Sequence, residues 1–68
     1  MRAYQLEPGD RAVLNLVNGD AISGEVSLLT RTGTVYLKAA TMHTEGRHQP
    51  LDGGIQIPTT SILWIQVV

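Results

Sequence analysis

Asn18-Gly19 stands between two runs of alternating apolar residues, and a further glycine, Gly24, follows five residues later inside the longer run. Asn-Gly between such runs is a strong hairpin signal, because both residues tolerate positive φ. Before it, Ala12, Leu14 and Leu16 alternate with Arg11, Val13 and Asn15. After it, Ile22, Val26 and Leu28 share a face with Gly24, and Ser23, Glu25 and Ser27 share the other. Period two predicts strands with one buried face. A glycine inside a strand marks a bend, a bulge or the close approach of another backbone. A strand of about ten residues bent at a glycine is how a small barrel turns its corner.

The same logic carries along the chain. Thr30-Arg31-Thr32-Gly33 predicts a second hairpin turn, with Gly33 in the left-handed position. The predicted strands are Arg11–Val17, Asp20–Leu29, Thr34–Ala40 (Val35, Leu37 and Ala39 inward), Ile55–Ile57 and Ile62–Val68. Pro58 to Ser61 reads as a tight, 3₁₀-like turn. Residues 1–10 form a lead-in: Tyr4 and Leu6 pack as a strand or a helical turn, and Pro8-Gly9-Asp10 turns the chain, with Asp10 capping locally. Thr41 to Gly54 is polar, with three glycines and one proline, and reads as a long hairpin loop with strand extensions at its ends. The final predicted strand is apolar on both faces, so its second face is expected to meet the N-terminal segment or another subunit.

Sixty-eight residues make one small domain, residues 1–68, and a chain this short buries a modest share of its surface. It has no cysteine for a disulfide or thiolate metal site, no phenylalanine, and three aromatics: Tyr4, Tyr36 and Trp64. The core must be aliphatic, and self-association is the expected extra source of stability. Net charge is −1, with Arg2, Arg11, Arg31, Lys38 and Arg47 scattered among six acids. That lacks the basic stripe of most nucleic-acid binders. The absence of an apolar leader or membrane-length run predicts a cytoplasmic protein without a membrane partner.

These elements describe an all-β, five-stranded, strongly bent antiparallel barrel of SH3-like type, with a 3₁₀ turn between its fourth and fifth strands. The chain resembles the Sm-like family, which includes bacterial Hfq, over roughly residues 11–68. Gly19, Gly24 and Val26, followed by Val35 and Leu37, match the spacing of the family's first motif. Ile57, Ile62 and Ile65 match its second. The resemblance implies a ring in which the fourth strand of one subunit pairs with the fifth of the next. That would place Ile55, Ile57, Ile62, Trp64, Gln66 and Val68 at an oligomer interface. It also implies an RNA site at Thr30, Arg31, Gly33 and Thr34, with Arg47 from the long loop. At these positions the family commonly has Asp, a stacking side chain and Asn, whereas this chain has Thr30, Gly33 and Thr34, and Pro58-Thr59 replaces the usual Arg-Gly. Stacking and charge supply most single-strand binding energy, so the resemblance speaks more for the fold than for uridine recognition. A weaker similarity links Leu51 to Val67 with small uncharacterised proteins of actinobacteriophages, which would place the protein in the host cytoplasm.

No catalytic set is legible. Ser23, Ser27 and Ser61 have no motif around them, and Asp10 and Asp20 have no apolar pocket to tune a carboxyl group. His43-x-Glu45-x-x-His48, with Asp52 beyond, holds the residue types of an open zinc site, but the spacing fits no helical metal motif. The expectation is a solvated hairpin, with no metal and no cofactor. Trp64 is expected at a subunit or partner contact, and Tyr36 on the outward face with Thr34 and Lys38. The functional expectation is a non-enzymatic barrel that self-associates and acts in binding or assembly. The alternatives are Hfq-like RNA binding and a phage virion component that docks on phage or host proteins.

Overall fold

Leu14, Val26, Val35 and Leu37 have essentially no solvent exposure, and the fold is the arrangement that brings these four together. A computed structural model of the protein describes residues 6–68. The predicted packing of Tyr4 lies outside the described residues. Among the described residues six strands occur: β1 Arg11–Leu16, β2 Ala21–Leu29, β3 Thr34–Thr44, β4 Arg47–Pro50, β5 Ile55–Pro58 and β6 Ile62–Val67. A 3₁₀ turn, η1 Thr59–Ser61, joins β5 to β6 as expected. All pairings are antiparallel, in the order β4-β3-β2-β1-β6, with β5 also on β3. The sheet is not closed.

The first two hairpins share one turn geometry. Gly19 N–H donates to the Leu16 carbonyl (3.0 Å) and Leu16 N–H to the Asp20 carbonyl (2.8 Å). Gly33 N–H likewise donates to Thr30 (3.4 Å) and Thr30 N–H to Thr34 (3.0 Å). In each, only the glycine takes positive φ, 97° at Gly19 and 98° at Gly33. This is the three-residue loop in which a left-handed residue closes a tight turn. Asn18 therefore contributes differently from the expectation: its Oδ1 accepts from Asp20 N–H (3.0 Å), holding the turn by a side-chain bond.

Two irregularities bend the β2–β3 ribbon. Ser23 pairs with Thr41 and Glu25 with Lys38, so Gly24 alone faces both Ala39 and Ala40. Ala39 absorbs the extra residue with a φ of 50°. Further on, Val26 pairs with Leu37 and Leu28 with Tyr36, leaving Ser27 as the extra residue on β2. Each bulge inverts the alternation beyond it. Two expectations are corrected by this. Ala40, not Ala39, is buried, and Leu28 is 51% exposed while Leu29 packs against the core.

The expected loop 41–54 is largely strand. β3 runs on to Thr44, turns at Glu45-Gly46, and returns as β4 with His43 opposite His48 and Thr41 opposite Pro50. Glu45 and Gly46 both have positive φ, 48° and 78°, as a two-residue hairpin turn requires. The described residues thus hold six strands rather than the expected five. The strand extension expected at the start of 41–54 is the end of β3, whereas the returning strand β4 is exposed throughout and leaves no alternation to read. β4 and β5 occupy the same edge of β3 in succession, β5 against Thr34 to Leu37 and β4 against Thr41 to Thr44.

The core beneath the sheet comprises Leu6, Ala12, Leu14, Ile22, Val26, Val35, Leu37, Ala40, Ile57 and Ile62. It is aliphatic, as the missing phenylalanine demanded. In the lead-in, Asp10 Oδ2 accepts the Glu7 N–H (3.0 Å), the local cap expected of it.

Candidate interaction surfaces

The candidate sites fall at three separate places on the sheet. At the β2–β3 turn, Thr30, Arg31, Gly33 and Thr34 are brought together. Thr30 Oγ1 accepts the Thr34 N–H (3.0 Å) and lies 3.1 Å from Thr32 Oγ1. Gly33 carbonyl accepts the Thr59 N–H of η1 (2.8 Å), tying this turn to the β5–β6 junction. A Cβ at Gly33 would sit 3.0 Å from Thr59 Oγ1, so no stacking side chain fits there without displacement. The threonine hydroxyl is thus engaged within the turn itself. Arg47 is not part of this group: it opens β4, opposite Thr44 at the far end of β3.

The second place is the pair of strands flanking η1. β6 bonds only to β1, and β5 only to β3, so each has one unpaired edge among the described residues. The residues expected at an oligomer interface separate here into two groups. Ile57 and Ile62 are buried in the core of the chain itself, and Ile55 packs against that core. Trp64, Gln66 and Val68 are exposed. Exposure extends to two residues outside the expected set: Leu63 (66%) and Val67 (56%) join Trp64 (50%) as large apolar side chains open to solvent. The register slips where Asn15 pairs with Trp64 but Leu16 with Ile62, so Leu63 is the surplus residue. Strict alternation across the strand cannot anticipate this outward turn, and only the doubly apolar composition of β6 hinted at it.

The third place is the outer face of the β2–β3–β4 region. Cross-strand pairing aligns Ala21, His43 and His48 in one row. Nδ1 of His43 and Nδ1 of His48 are hydrogen-bonded to each other, with ring centroids 4.7 Å apart at 77°. Nε2 of His43 is bonded to Ser23 Oγ at 2.8 Å. Beyond the Gly24 bulge, Glu25 and Lys38 form a cross-strand ion pair at 3.6 Å at the surface; such a pair contributes little.

Comparison of the chain with protein-family models and with curated proteins finds no match. Among the described residues no three histidine, cysteine or acidic side chains converge on one point. Glu45, in the turn, and Asp52, beyond β4, thus do not complete the set the sequence pattern offered. No helix among the described residues is long and apolar enough to cross a membrane.

Proposed function

We propose that this chain is a non-enzymatic, Sm-like small barrel that self-associates and serves as an assembly or binding module. The observation that carries the reading is the pair of unpaired edges on β5 and β6; β4 has an open edge as well, but its residues are Arg47, His48, Gln49 and Pro50, all exposed, with no apolar side chain to cover. The strand path β6-β1-β2-β3-β5 ends on both sides in an edge, and the two edges belong to strands joined directly by η1. An unpaired edge is a template for another chain. When one molecule's β5 edge meets the next molecule's β6 edge, the contact is head-to-tail, and such a contact closes into a ring if the rotation permits. Leu63, Trp64 and Val67 would then be covered by the neighbour, which accounts for a small domain carrying so much apolar surface on one strand. Pro58 ends β5 without an N–H to offer, so the paired stretch is the Ile55–Ile57 part of the strand.

The test is solution mass by light scattering on protein freed of nucleic acid, with the ratio of absorbance at 260 and 280 nm recorded before that step. A closed oligomer is expected. A monodisperse monomer at micromolar concentration overturns the reading. Retained host nucleic acid would point instead to the Hfq-like alternative, centred on the Thr30–Thr34 turn.

A further inference from the structure

We propose that His43 and His48, backed by Ser23, form a surface site for a divalent transition-metal ion that favours imidazole: zinc, nickel or copper. The argument starts from register. Directly opposed residues on antiparallel strands present their side chains on one face, and β3 and β4 pair His43 with His48. The result is two imidazoles whose Nδ1 atoms point at each other and share one hydrogen. One nitrogen aims its lone pair at the other, and an ion that takes the place of the shared hydrogen gains the second lone pair once the donor ring moves its proton to Nε2 or releases it. Metal–nitrogen bonds of about 2.0–2.1 Å would seat the ion between the two rings after a small opening of the pair.

The second observation is the support behind His43. A ligating histidine is normally oriented by a hydrogen bond from its other ring nitrogen. Ser23 Oγ stands 2.8 Å from His43 Nε2. When the hydroxyl oxygen accepts the Nε2 proton, Nδ1 of His43 is left as the unprotonated nitrogen facing His48. Both ligands sit on strands, joined by a tight two-residue turn, so little ordering remains to be done on binding. His48 is exposed on β4, and on the far side of His43 the row ends at Ala21, which has only a methyl group, so the ion stays open to water.

The donor set defines the class of ion. Two imidazoles with the other positions taken by water suit zinc, nickel and copper. They do not suit magnesium or calcium, which demand oxygen ligands. Two protein ligands make an exchangeable site rather than a structural centre. This site lies on β3 and β4, away from the unpaired edges of β5 and β6, so its fate is independent of the oligomer reading.

The experiment titrates the full chain with zinc chloride and follows imidazole resonances by long-range nitrogen–proton NMR, with melting temperature in parallel. Shifts are expected at both His43 and His48, with a rise in Tm that a chelator reverses and that acidic buffer weakens, because the ligating nitrogens must be unprotonated. Copper should act at lower concentration than zinc, and magnesium should do nothing. H48A, on an exposed strand, should keep the fold and lose the response, while S23A should keep it with several-fold weaker affinity. An equal response in H48A, an equal response to magnesium, or no shift of either imidazole in the wild type overturns the proposal.

Discussion

Gly24 lies so close to Ala40 that a Cβ on the glycine would stand 3.2 Å from the Ala40 Cα and 3.1 Å from the Lys38 carbonyl oxygen. Both obstacles are backbone atoms of the neighbouring strand, so no rotamer change relieves them. The two-for-one pairing that bends β2 against β3 thus depends on a missing side chain. Gly24→Ala is expected to destabilise the protein by about 1–3 kcal/mol, the usual cost of forcing a methyl into a filled space. That corresponds to roughly 4–8 °C of Tm per kcal/mol in a domain of this size. An unchanged or raised Tm would show that the ribbon can open freely at this point.

The bulge at Ser27 makes a sharper contrast between two leucines. Leu37 has no exposed surface, whereas Leu28 stands half in solvent. Leu37→Ala should cost about 2–5 kcal/mol, a large part of the stability available to any domain. Leu28→Ser should stay within about 0.5 kcal/mol. Urea denaturation of the two variants side by side checks this. A large loss in Leu28→Ser would mean that Leu28 is covered, by this chain or by a second copy.

The exposed apolar residues of β6 give a prediction for assembly. Trp64→Ala combined with Leu63→Asp should shift the solution mass toward the monomer, because both remove apolar area and one adds an uncompensated charge at the contact. The core residues Ile57 and Ile62 are untouched, so the circular dichroism spectrum should stay that of the wild type. An oligomer of unchanged mass in this variant would place the contact elsewhere.

Glu45 holds a φ of 48° in the β3–β4 turn, where a non-glycine residue is strained. Asn tolerates that conformation better and gives the Asn-Gly pair favoured in such turns. Glu45→Asn should raise stability by about 0.5–1 kcal/mol, read from the urea midpoint. A loss would indicate that the Glu45 carboxylate makes a contribution of its own.

Much of the fold could be read from residue order. The alternation in residues 11–29, the glycines at 19 and 33, and the apolar ending are local signals, set by pleat geometry and by the sterics of positive φ. They suffice for an all-β antiparallel fold, most strand positions and the 3₁₀ turn. Gly24 was legible as a bend or close approach for the same reason. What local signals could not supply was register. Whether Ala39 or Ala40 faces the core, and whether Leu28 or Leu29 does, depends on where the partner strand inserts or omits a residue, and that is decided only when two strands meet. Within the expected hairpin, β4 and its register were hidden because that strand is held by backbone pairing without a buried face to pattern the sequence. For the same reason the two histidines, five residues apart in the chain, read as loop residues until pairing placed them face to face. Sequence determined which residues seek the interior, because apolar burial is a property of each side chain. Tertiary structure decided which of them reach it, because a single inserted residue turns every later side chain to the opposite face.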